Sequence, residues 1–178
     1  PIEMVRIGTG ETAGRFIGGL HAGYAPGSVE LAERAIDYFS NRPSLVPAEV
    51  TLYIIPNANP DTPPEPGVLA GRLNANGVDV NRNWDCRWSP NPSFRNSPIP
   101  NGGGSAPFSE PETQLLRDMI EFLSPSAVVF WQARATQGLA SPGACEGRTQ
   151  FSANLATTYG VAAGYPIADF ENLTDTTL

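Results

Sequence analysis

Histidine is nearly missing from this chain: His21 is the one example among 178 residues. Cysteine occurs twice, at Cys86 and Cys145, and never as a Cys-x-x-Cys pair. Those two scarcities exclude a dedicated Cys/His zinc site of the closed structural kind. Charged residues are also few, at 16%, and the balance is acidic, with a net charge of −7. Recognition of a phosphate backbone needs clustered cations, so nucleic acid is excluded as a partner. No run of 18 apolar residues occurs, so no membrane-spanning helix is expected. No secretory leader is visible either. The chain opens on Pro1-Ile2-Glu3-Met4-Val5, which already reads as a strand and suits a mature or trimmed boundary.

What is present points to an ordered domain. Hydrophobic residues make up 40%, which argues against disorder, and the length suits one domain with a real core. Eighteen Gly and eighteen Pro imply long ordered loops. Ile2 to Ile7 alternates apolar and polar residues, a strand signal, and Arg15 to Leu20 reads as a second strand ending at His21. Ser28 is placed to cap a helix through Leu31, Ala32, Ala35, Ile36 and Phe39, with Pro43 just beyond it. Val50 to Ile55 is β-branched and aromatic, a central strand. Pro60 to Pro66 and Ser89 to Ala106 read as loops. Ser109 and Glu112 form a capping-box pattern ahead of Leu115, Leu116, Met119, Ile120 and Leu123. Ala127 to Trp131 is the most hydrophobic strand, and Gln150 to Tyr159 reads as a helix ended by Gly160. Strands alternating with helices predict an α/β domain on a largely parallel sheet. Sites in such sheets form at the carboxyl ends of the strands, where His21, Asn57 and Gln132 fall.

The most informative stretch is Arg72-Leu-Asn-Ala-Asn-Gly-Val-Asp-Val-Asn-Arg-Asn-Trp84. Two guanidinium forks amid four asparagines suit a pocket for an anion, above all a carboxylate. Gly77 suggests a tight entry into a short extended segment. A solvated, turn-rich loop is the plainer alternative.

That string resembles the signature of the zinc-dependent metallocarboxypeptidases of the carboxypeptidase A type, peptidase family M14. Four other segments fit in order: Gly18-Gly19-Leu20-His21, Pro56 to Asp61, Pro107 to Thr113, and Val128 to Gln132. The resemblance implies a three-layer α/β/α fold with a mixed, largely parallel sheet, as one domain over residues 1–178 that lacks the final strands. It places His21 at the first zinc ligand. The family's glutamate ligand falls on Tyr24 or Ala25, and its last histidine on Gln132. Zinc prefers imidazole, thiolate or carboxylate, so one ligand of three survives. His21 is open to two readings, metal ligand or loop histidine kept by packing. Glu30 is expected to face solvent and Asp79 to hydrogen-bond within the fold, neither reaching His21 and Gln132. The family's base lies on a strand beyond Leu178. Phe170 falls near the position of its capping tyrosine, and Glu171 is the nearest carboxylate.

By the same resemblance, Arg72, Asn81 and Arg82 would grip the C-terminal carboxylate of a peptide. Cys86 and Cys145 would share a rim of the pocket, where a disulfide would favour a secreted or extracytoplasmic protein; two free thiols remain the alternative. The expected function is a metallocarboxypeptidase-family domain, catalytically impaired, that binds peptide or protein C-termini, with zinc implied by the family and not held here. An active zinc carboxypeptidase and a non-catalytic interaction domain are the alternatives, as is deliberate mutation of the ligands.

Overall fold

A computed structural model describes residues 1–133, 138–143, 145 and 149–168. Its first strands are β1 (Val5–Gly8), β2 (Thr12–Ile17) and β3 (Val50–Ile55), with helix α1 (Gly27–Ser40) between β2 and β3. A hairpin of β4 (Ser93–Phe94) and β5 (Ser97–Pro98) comes next, then α2 (Pro111–Leu123), β6 (Ala127–Phe130) and α3 (Gln150–Ala163). The main sheet has the order β1-β3-β2-β6. β2 runs parallel to β3, from Thr12 opposite Val50 to Ile17 opposite Ile55, and parallel to β6. β1 pairs antiparallel with β3. The sheet is therefore mixed and largely parallel, as expected.

Alternation along the strands sends side chains to two faces. Ile7, Ile54 and Phe16 meet Ala32, Ile36 and Phe39 of α1 on one face. Ile17, Ile55, Val128 and Phe130 meet Leu116 and Met119 of α2 on the other. The result is an α/β/α sandwich in which each buried aliphatic side chain contributes about 1.5–3 kcal/mol. No helix among the described residues is long and apolar enough to cross a membrane.

Several element ends differ from those expected of the sequence. The second strand ends at Ile17 because Gly18 and Gly19 turn the chain against β3. A Cβ on Gly19, at φ +69, would lie 2.7 Å from the Asn57 Cα. Ser28 lies inside the first turn of α1, whose N-cap is Pro26. Its hydroxyl donates to the Ala25 carbonyl and accepts from the Gly19 amide, so it ties the turn instead of capping the helix. The Ser109/Glu112 box does not form: Glu110 is the N-cap of α2, without a side-chain cap, and Ser109 Oγ donates to Glu110 Oε1. α3 runs past Gly160, which is buried within it, to a left-handed Gly164. The loop from Ser89 to Ala106 contains the β4–β5 hairpin and is held by Trp88 Nε1 donating to the Gly103 carbonyl at 2.8 Å.

Arg15 stands out on the α2 face of β2. It is 1% exposed, and its Nη2 donates to the Met119 carbonyl. Its Nε and Nη1 are buried with no hydrogen-bond partner among the described residues. A buried guanidinium with unmet donors is costly relative to an apolar side chain of similar length. Replacement Arg15→Met is expected to raise stability by roughly 1–3 kcal/mol, read as a higher urea midpoint.

Candidate functional site

His21, Asn57 and Gln132 lie just past the carboxyl ends of β2, β3 and β6, so the sheet gathers them at one end. The chain between Arg72 and Trp84 packs over that end. Asn74 opens it with a turn: its Oδ1 accepts from the backbone amides of Asn76 and Val78. The turn aligns Asp79 with Leu73 in an isolated bridge. Val78 and Val80 are buried on either side of Asp79, at 5% and 0% exposure, which leaves the carboxylate at 0% as well.

Asp79 is the centre of the arrangement. Its Oδ1 accepts from His21 Nε2 at 2.9 Å and from the Asn81 amide at 3.0 Å. Its Oδ2 accepts from Arg72 Nε at 2.8 Å. Burial alone would raise the Asp79 pKa; His21, Arg72 and Arg82 outweigh it and hold the group well below the usual carboxylate range. Burial pushes His21 down, helped by the two arginines and opposed by Asp79. His21 is then neutral at pH 7. An ionised carboxylate only accepts, so the proton is assigned to Nε2 and the lone pair to Nδ1.

The guanidinium of Arg72 lies over the Phe94 ring, 3.9 Å from its centroid, and 5.6 Å from that of Tyr24. The two rings meet edge to face at 5.6 Å. Arg82 donates Nη2 and Nε to the Ser93 carbonyl at 3.3 and 3.4 Å. Gln132 Nε2 reaches Asn81 Oδ1 at 3.4 Å. The fold thus brings together His21, Arg72, Asn81, Arg82 and Gln132. Cys86 and Cys145 form a disulfide, with Cα atoms 5.4 Å apart, joining the loop after Trp84 to the loop after β6.

Asp79 requires a correction. It hydrogen-bonds within the fold as expected, but it does so to His21 itself, which the residue pattern placed out of reach. A charged residue between two buried valines was the available signal. The asparagines also divide differently. Asn81 faces the site, whereas Asn74 Nδ2 donates to Glu110 and Glu112. Asn83, fully buried, joins Gly103, Ala106, Glu110 and Thr113. These two are framework, not pocket. Phe94 and Ser93 were missed, because their hairpin begins 21 residues after Arg72 in sequence. Glu30 pairs with Arg34 on the surface of α1, facing solvent as expected. Phe170 and Glu171 lie outside the described residues.

Among the described residues, the side chains at the positions that the resemblance assigns to the ligands do not fit a zinc ion. Both Asp79 oxygens are committed, Gln132 offers a neutral amide, and Tyr24 lies against a guanidinium. Among the described residues no group of three His, Cys, Asp or Glu could hold a metal.

The zinc carboxypeptidase family profile matches residues 1–141. The catalytic chain of carboxypeptidase N from Homo sapiens is 34% identical over 84 residues, which cover 39% of this chain and 18% of that protein. Among solved structures, carboxypeptidase A from Helicoverpa armigera superposes with a TM-score of 0.70 at 19% identity, over 99% of this chain and 51% of that one. Thrombin-activatable fibrinolysis inhibitor superposes at 0.66 and 15% identity, over 97% and 51%. The chain spans about half the length of these two structures and less than a fifth of the curated relative.

Two outcomes test the Asp79 cluster. Asp79→Asn strands buried Arg72 and should cost about 3–5 kcal/mol in denaturant unfolding. Because His21 has a lowered pKa in the folded state, its contribution is complete above the unfolded value near 6.5 and is lost as pH falls below it. The unfolding free energy from urea titration should fall as pH drops below about 6.5, by at most about 1.4 kcal/mol per pH unit. As His21 is the one histidine, His21→Gln should flatten that slope.

Proposed function

We infer a function from family membership: the chain belongs to the zinc carboxypeptidase family. The proposed function is binding of a peptide C-terminal carboxylate without hydrolysis, within a single domain over residues 1–178. The observation that carries it is a pair of site arginines beside a ligand set unsuited to zinc. Arg72 commits Nε to Asp79 and its flat face to Phe94, and its two Nη groups make no hydrogen bond among the described residues. Those Nη groups supply the planar donor pair that a carboxylate accepts. Arg82 and Asn81, anchored to Ser93 and Asp79, complete the proposed clamp.

Hydrolysis in the family relies on zinc to activate water and polarise a carbonyl. Here the positions expected to hold the metal carry Tyr24 or Ala25 and Gln132 beside His21. The proposed domain therefore holds a substrate end and does not cut it. The Cys86–Cys145 disulfide supports an extracytoplasmic setting.

One observation favours a second reading, an active enzyme. Asp79 fixes His21 with its Nδ1 lone pair available, the state a metal ligand needs. Elemental analysis of the protein purified without chelator separates the two: the binding reading expects far less than one zinc per chain, and stoichiometric zinc overturns it. Calorimetric titration with a short peptide and its C-terminal amide tests the clamp. Charge-assisted hydrogen bonds of about 1.5–3 kcal/mol predict that the amide binds roughly 10- to 100-fold more weakly. Equal affinities would discard the clamp. A third reading, an interaction domain with a vestigial clamp, expects Arg82→Ala to change no peptide affinity.

A further inference from the structure

All eleven Lys and Arg positions of this chain are arginines, and three of them converge on the two-residue strand Ser93–Phe94. Arg72 lies over the Phe94 ring at 3.9 Å and Arg82 donates to the Ser93 carbonyl. Arg95, the next residue in the chain, brings its guanidinium to 5.2 Å from the same ring centroid. Two like charges over one ring repel unless an anion lies near. Asp79 balances Arg72. Arg95 is exposed and makes no ion pair or hydrogen bond among the described residues.

The backbone beneath Arg95 is also unusual. Arg95 and Asn96 both have left-handed φ values, 51° and 63°, which make the tight turn between β4 and β5. Such a turn prefers Asn and Gly, and a side chain as long as arginine is unfavourable at its first position. The turn projects Arg95 from the hairpin whose aromatic residue backs the Arg72 guanidinium. A local cluster of cations thus stands at one edge of the site in a chain whose net charge is −7.

We propose that Arg95 is a specificity-determining residue that receives a second carboxylate, so that the site prefers peptides ending in Asp or Glu. The inference rests on the carboxylate clamp of the proposed function. In it, the main-chain carboxylate takes the Nη donors of Arg72, and the acidic side chain of the last residue takes Arg95. Both guanidiniums lie by the Phe94 ring, at 3.9 Å for Arg72 and 5.2 Å for Arg95 from its centroid.

The test is a matched set of short peptides ending in Glu, in Gln, and in the C-terminal amide of each, titrated calorimetrically into the wild type, Arg95→Gly and Arg95→Asn. Glycine and asparagine are at home in left-handed backbone, so both variants keep the turn, and thermal midpoints no lower than wild type document that. An exposed ion pair predicts that the wild type binds the Glu peptide about threefold to fivefold more tightly than the Gln peptide. The preference should vanish in both variants, and should shrink toward unity at high salt. The Gln peptide should bind all three proteins alike. Equal binding of Glu and Gln ends by the wild type overturns the assignment of Arg95, as does a preference that survives both variants. If free acids bind no better than amides, the clamp itself falls, and this assignment with it.

Discussion

The carboxylate of Asp79 is the constraint on which the site depends. A charge at 0% exposure is tolerable only when its oxygens are fully engaged. Here three donors meet that need: an imidazole after β2, a guanidinium at Arg72, and the backbone amide of Asn81 two residues further along the Asp79 segment. The Asp79 amide donates to the Gly102 carbonyl, which adds the loop ahead of α2. Four stretches of chain are thereby fixed relative to one another by one residue. The valines beside it matter as much, because their burial excludes the water that would otherwise weaken each contact.

These contacts hold the pocket through groups other than Tyr24 or Ala25 and Gln132, the positions that the resemblance assigns to zinc ligands besides His21. The framework around it is closed without a metal. Arg72 is clasped between Asp79 and two rings, Asn83 ties α2 to the loop before it through the two ends of its amide, and a disulfide links the Trp84 loop to the loop after β6. In the chain-entropy account, closing 59 residues is worth on the order of 4 kcal/mol. None of these contacts passes through the positions of Ala25 or Gln132.

The sheet was legible because its strands are apolar runs of the right length and β-branched content; Val50–Ile55 appears with the boundaries read from the residues. Helix starts were less so. Ser28 and Ser109 carry the right chemistry for caps, but each hydroxyl meets a closer partner, Ala25 and Gly19 for one and Glu110 for the other. The gathering of His21 and Gln132 was legible from the rule that sites form at strand ends, and that of Arg72 and Arg82 beside them from the family resemblance of one dense string. The role of Asp79 was not, since valine neighbours fix only that it is buried and not which donor it meets. Phe94 was invisible for a related reason. Nothing in a proline-rich loop marks which aromatic residue will return to lie on a distant guanidinium.

Charge balance then bears on what the pocket holds. In a zinc site of this family, a carboxylate ligand would offset part of the charge of the ion. The resemblance places Tyr24 or Ala25 at that position, and the nearby Asp79 carboxylate is saturated by hydrogen bonds. Adding a divalent cation would therefore place positive charge beside Arg72 without the compensation that a glutamate ligand supplies. On the proposed reading a carboxylate would do the reverse: it would meet the Arg72 Nη groups, which make no hydrogen bond among the described residues, and lower the repulsion among the guanidiniums near Phe94. On the binding reading proposed above, a missing negative side chain with the arginines in place would shift the electrostatic preference of the cavity from cation toward anion.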